Sequence, residues 1–257
     1  MSESPSQLFK FMSGKNSEDL ARLDELLKEP YLWSADPTTY NDPFEFKISV
    51  DWSATDVELR KRFFTDKPSE SEAAFLIWKN GLTPEFRWSV AMSTRRGLLA
   101  TFGVCCFSKE VFNQLLWAHY GCSHTGYAAE FAFDNPLGLQ HAIAAGNVEY
   151  RDQKEKWRLG EDEEELWRKT CFVKSSPWVY EREFRILFSK RGKIVIPPNS
   201  LCAIYLGCRA STELRALALE VGSARSIKIL QMCESPFEFK LDAVEAKRNV
   251  TIMSSFF

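Results

Sequence analysis

The chain has no Cys-x-x-Cys pair, no Gly-x-Gly-x-x-Gly and no Gly-x-x-x-x-Gly-Lys loop. These absences argue against a zinc ribbon, a thioredoxin-like redox site and the nucleotide-binding folds that carry those motifs. No apolar run approaches the ~20 residues that span a bilayer. MSESPSQLFKF lacks a basic stretch followed by an apolar one, so no secretory signal is expected. Only three histidines occur, and the net charge is -2. That balance gives no reason to expect a polyanion as main partner, although a local basic patch is compatible with it. The seven cysteines are irregularly spaced. They read as reduced, mostly buried thiols, and the expected location is cytoplasmic, with no membrane partner.

What is present is aromatic mass, with 20 Phe and 8 Trp among 257 residues. Most of these rings must be core. The periodicities alternate between helix and strand without regular βαβα order, so the fold class is α+β. We expect mixed, mainly antiparallel sheets with flanking helices. The domain should run over 8–257, with a helical insertion at 54–100 and a disordered tail at 1–7. LFKFM (8–12) reads as a strand, 17–29 as an amphipathic helix and YLWSA (31–35) as a strand. TFGVCCFS (101–108) reads as an inner strand, 109–121 as a helix and GYAAEFAF (126–133) as an alternating strand. EFRILFS and KIVIP suggest a hairpin turning at Arg191-Gly192. SIKILQMCE (226–234) is the last clear strand.

Three segments concentrate polar chemistry. In NDPFE, Pro43 pushes Asp42 towards an extended conformation, and the turn presents Asn41 and Asp42 as fixed polar groups. WAHYGCSHTGY holds two of the three histidines, His119 and His124, with Trp117 and Tyr120. Their i, i+5 spacing does not suit a helical metal pair, and no metal is expected. Histidine does suit proton transfer near neutral pH. In KSSPWVYEREFR, a strand starting near Glu181 places Glu181, Glu183 and Arg185 on one face. Such charges are costly to bury unpaired. Either they pair on an edge, or Arg185 orients one glutamate by a bidentate contact.

The motifs LFKF, NDPFE, CCFS, WAHYGCSHTGY, KSSPWVYEREFR and AIYLG resemble, in order, those of the bacterial domain-of-unknown-function family numbered 2971. More distantly, Glu181-x-Glu183 at a strand start resembles the third motif of ADP-ribosyltransferases. Lys10 then stands where that superfamily has Arg or His, and Trp33-Ser34-Ala35 stands for its Ser-Thr-Ser element. The resemblance implies a split sheet and NAD as substrate. It implies Glu183 and Glu181 as catalytic candidates, and the proton-transfer reading of the histidine segment adds His119. Lys10 or Arg185 would meet pyrophosphate, and Tyr120 or Trp178 would stack on a ring. Ser34, Asn41, Asp42, Trp117 and His124 complete the candidate wall. The partner implied is a nucleotide-like small molecule with an unidentified macromolecular acceptor, as in toxins or phage-defence effectors. Two other readings stay open. One is a hydrolase such as a nuclease, using the histidines and a carboxylate. The other is a non-catalytic ligand-sensing module.

Overall fold

The computed structural model describes residues 7–47, 49–158 and 161–247. The expected tail, except Gln7, lies outside them, as do residues 248–257. Strand β1 (Leu8–Met12) leads to helix α1 (Ser17–Lys28). Asn16 caps the Asp19 amide and Asp19 returns the contact, which satisfies first-turn N–H groups. β2 (Tyr31–Ser34) and the two-residue β3 (Val50–Asp51) follow. The helical stretch consists of α2 (Asp56–Asp66), α3 (Glu72–Asn80) and α4 (Pro84–Ala100), started by Thr55, Ser71 and Thr83. These hydroxyls accept from the third helical amide of each.

The next elements are β4 (Gly103–Ser108), α5 (Gln114–His119), β5 (Tyr127–Phe131), β6 (Ala142–Asn147), β7 (Glu149–Arg151) and β8 (Trp157–Arg158). After α6 (Glu163–Cys171) come β9 (Val173–Ser175), β10 (Glu183–Phe188), β11 (Gly192–Val195) and β12 (Leu201–Leu206). The described chain closes with α7 (Thr212–Ala224), β13 (Lys228–Glu234) and β14 (Leu241–Glu245). No helix among the described residues is long and apolar enough to cross a membrane.

Eight strands form one sheet in the order β14-β13-β12-β5-β1-β4-β10-β6. Within this sheet only β12 and β13 pair in parallel, as their helical crossover through α7 requires, while the small β3–β8 and β7–β9 pairs are parallel too. The class is therefore α+β, with a large, mainly antiparallel sheet flanked by helices. Alternate residues of β10 divide between two layers. Phe184, Ile186 and Phe188 join Leu23, Leu26 and Leu27 of α1 and Leu214 of α7. Leu187 packs with Phe46, Leu99 and Phe102 on the other face, which Arg185 and Glu183 share by period two. Both faces are covered, so β5 is buried along its whole length. The alternating strand read at 126–133 is present, at Tyr127–Phe131.

At the centre of the sheet β1 and β4 are registered at one pair, Phe9 with Ser108. Beyond that pair the Lys10 ammonium donates to the Cys106 carbonyl at 3.0 Å. A side chain thus satisfies a strand carbonyl that a neighbouring backbone would otherwise pair.

Several expectations need correction. β10 and β11 are not a hairpin: β10 pairs with β4 and β6, and β11 pairs with β2. Both edges of β10 are occupied, so the chain must leave the sheet after it, and Gly192 makes that turn at φ +91. The helix expected at 109–121 is confined to 114–119, because Asn113 caps it late. Val111 is buried ahead of it, and Leu115 is exposed. α7 runs past Gly222, and β14 lies beyond the strand taken as last.

Candidate functional site

The strand that carries the two glutamates starts later than expected. Ser176–Glu181 form a 3₁₀ turn, and Arg182 adopts a left-handed conformation at φ 45. Only then does β10 begin, at Glu183. A non-glycine residue there costs on the order of 1 kcal/mol. The Lys109 amide donates to the Arg182 carbonyl at 3.1 Å, and the Arg182 side chain pairs with Glu110. The twist still delivers Glu181 and Glu183 to one cluster, through a turn instead of a shared strand face.

That cluster contains three buried carboxylates and two buried cations. Lys174 lies 2.8 Å from Glu45, 2.5 Å from Glu181 and 3.6 Å from Glu183. Arg185 is 0% exposed and binds Glu183 through two nitrogens, Nε to Oε1 at 2.8 Å and Nη2 to Oε2 at 2.9 Å. Its Nη2 also donates to Glu45 at 2.9 Å, and Nη1 donates to the Cys171 carbonyl at 2.6 Å. The guanidinium lies 4.9 Å from the centroid of the Phe46 ring. The Glu183 amide donates to the Tyr150 hydroxyl at 2.8 Å. Such a network is stable only when nearly every member is satisfied.

The two glutamates have different environments. Burial pushes Glu183 upward, but the Arg185 guanidinium overrides it and holds the carboxyl at about 2. Burial also raises Glu181, and Lys174 and the Tyr120 hydroxyl only partly oppose it. Glu183 is thus a fixed anion, and Glu181 is the carboxylate closer to exchanging a proton. Tyr120 donates to Glu181 at 2.6 Å. We predict that Tyr120→Phe moves the Glu181 titration to higher pH, because a bond that favours the charged form is gone. Carbon-detected NMR of the glutamate carboxyls checks this, and a shift to lower pH would refute it.

A cavity of about 160 Å³ opens onto this cluster, lined by Lys10, Asn41, Cys106, Tyr120, Glu181 and Glu183 among others. Phe9, Phe11 and Tyr40 supply aromatic walls. Cavities of ~150 Å³ hold a benzene-sized molecule. Whole drug-sized ligands need roughly 300 Å³ or more. The space therefore fits one ring.

Of the residues singled out in the sequence, Lys10, Asn41, Tyr120, Glu181 and Glu183 converge here. Others do not, for identifiable reasons. Arg185 has no accessible surface and acts through Glu183. Trp117 is fully buried, with its indole N–H donating to the Val111 carbonyl at 2.6 Å and its ring edge-on to Phe11. Ser34 is buried against Gly103, in a strand outside the main sheet. Asp42 holds the NDPFE turn by accepting from the Phe44 amide at 2.8 Å and lines a different cavity. Trp178 covers Lys174, whose ammonium lies 4.6 Å from the ring centroid. His119 is exposed and bonds the Tyr180 hydroxyl at 2.8 Å, one residue along from the Tyr120–Glu181 contact. His124 stacks on Trp117 in a left-handed loop, away from the cavity.

Lys174, Glu45, Tyr40, Cys106 and Tyr150 were missed as site residues. Lys174 and Glu45 stand inside the KSSPW and NDPFE motifs, so a signal existed. What was lacking was any indication that the two motifs touch. Comparison with protein-family models, curated proteins and solved structures finds no match for the chain.

Proposed function

We infer that the chain is an NAD-consuming or ADP-ribosyltransferase-like enzyme, a reading supported by the resemblance of its motif order to that of family 2971. The observation that carries this reading is the pair of unequal buried carboxylates beside an aromatic, one-ring cavity. The three carboxylates are balanced by three cations, Lys174 and Arg185 in the cluster and Lys10 in the cavity wall, so the site is a neutral array of fixed charges with Glu181 and Glu183 at the cavity. The fixed Glu183 carboxylate in its wall favours a transition state that develops positive charge nearby.

The nicotinamide of NAD is a cationic ring on a ribose. When its C1′–N bond breaks, the bonding electron pair leaves with the ring nitrogen, and the ribose gains oxocarbenium character. The fixed Glu183 carboxylate stabilises that charge. Water or an acceptor hydroxyl then forms the new C1′–O bond, and Glu181 takes its proton. Tyr40 and Tyr120 offer ring faces for stacking. Arg185, Tyr150 and Lys174 orient the glutamates and stay out of the chemistry. The hydrolase reading based on His119 and His124 finds no such support, since neither histidine lines the cavity.

The test is incubation of the full chain with NAD, with and without candidate protein and nucleic-acid acceptors. Free nicotinamide should appear, together with ADP-ribose or a modified acceptor. Binding of NAD without turnover would favour a ligand-sensing module. No binding and no release would end the NAD reading.

A further inference from the structure

The one-ring cavity has no free cation for the diphosphate of a dinucleotide among its described lining residues. Arg185 is inaccessible, and the Lys10 ammonium is engaged by the Cys106 carbonyl. The first cavity holds only a ring. A second cavity, of about 550 Å³, adjoins it. Lys174 lines both, and their neighbouring residues Asn41 and Asp42 line one each.

Most charges around the second cavity are already paired. Lys169 lies 2.6 Å from Glu161, Arg151 2.6 Å from Glu155, and Lys174 2.8 Å from Glu45. Lys47 and Lys154 differ, because neither has an ion-pair or hydrogen-bond partner among the described residues. Their ammonium groups lie 5.8 and 5.5 Å from the centroid of the same ring, that of Phe44. Both lysines are exposed at the cavity rim, and the Lys154 pKa is lowered by partial desolvation first and then by the Lys47 charge, with the Asp42 carboxylate opposing the shift. Two ammonium groups gathered on one ring repel unless an anion joins them. Four carboxylates share the lining, of which Glu45 and Glu155 are paired with Lys174 and Arg151, leaving Asp152 and Asp42 as the opposing charges without an ion pair among the described residues. Asp152 is exposed. Asp42 is 5% exposed, and its Oδ2 has no hydrogen-bond partner among the described residues. An acceptor in that state calls for a donor.

We propose that Lys47 and Lys154 clamp the diphosphate of the dinucleotide whose ring enters the first cavity, while Asp42 accepts from a ribose hydroxyl. This rests on the NAD reading and assigns the phosphate contacts to residues the motif comparison did not suggest. A phosphate between two ammonium groups is held by charge-assisted bonds and is sensitive to salt.

Isothermal titration of the full chain and its Lys47→Met/Lys154→Met variant tests it, with NAD, nicotinamide riboside and inorganic pyrophosphate as ligands. The variant should bind NAD about 10-fold more weakly, a change on the scale of partly exposed phosphate contacts. It should bind the riboside as the wild type does and lose pyrophosphate. Unchanged NAD affinity, or pyrophosphate binding that survives in the variant, would overturn the clamp. If the wild type binds pyrophosphate but neither NAD nor the riboside, the clamp stands and the NAD reading fails. If it binds none of the three, both fail.

Discussion

Arg185→Met should lower the unfolding free energy by about 3–5 kcal/mol, the cost of breaking a buried pair from one side. For a chain of this length that is a fall in Tm on the order of 10 °C. The cause is specific. Methionine fills part of the space but leaves Glu183 and Glu45 facing Lys174 alone, and it leaves the Cys171 carbonyl without its donor. The loss also has a sign in pH. In the wild type Glu183 is held at about 2, below its ordinary value. Its stabilisation is therefore complete above the ordinary carboxylate range and disappears as pH falls towards 2. In the variant, burial of Glu183 is no longer opposed by the guanidinium, so protonation relieves the site. The gap between the two proteins is then widest near neutrality and closes in acid. Denaturant unfolding at neutral pH and near pH 4 measures both effects. A loss below about 1 kcal/mol, equal at both pH values, would show that the pair is not what holds the cluster.

Glu183→Gln and Glu181→Gln should both suppress NAD turnover, and in different ways. Removing the fixed charge at Glu183 should cost about 10²–10³-fold in kcat, the scale of losing one preorganised electrostatic contact. The pH profile should keep its shape, because Glu181 still titrates. Removing Glu181 should cost about 10²–10⁴-fold, the scale of a general base. It should also abolish the acid limb of the profile, which in the wild type lies above the ordinary carboxylate range because burial raises Glu181. Circular dichroism and NAD titration separate a chemical defect from a folding one. If the Glu181→Gln variant keeps the acid limb, another group is the base. If both variants turn over normally, the chemistry lies elsewhere.

Much of the secondary structure was legible because its causes are local. Thr55, Ser71, Thr83 and Ser211 cap helices with amides three residues away, and the Leu23, Leu26 and Leu27 stripe is visible in any α1-length window. The failures lie where neighbours in space override neighbours in sequence. β10 and β11 look like a hairpin until β4 and β6 are seen to occupy both edges of β10. Gly126 reads as a strand-start glycine. Its close approach to the chain is tertiary, since an added Cβ would lie 2.1 Å from the Met12 carbonyl oxygen.

The candidate site divides in the same way. By itself the sequence determined the α+β class, the start of α1 and the concentration of charge in WVYEREFR. These follow from periodicity, capping and composition within windows of a dozen residues. Only the tertiary structure decided which charges meet. Arg185 joins Glu45 across 140 positions, and Lys174 brings NDPFE and the two glutamates into one cluster. It also decided the roles of the two glutamates, because a carboxyl's proton affinity is set by burial and by neighbouring charge. Those neighbours come from segments that only folding brings together.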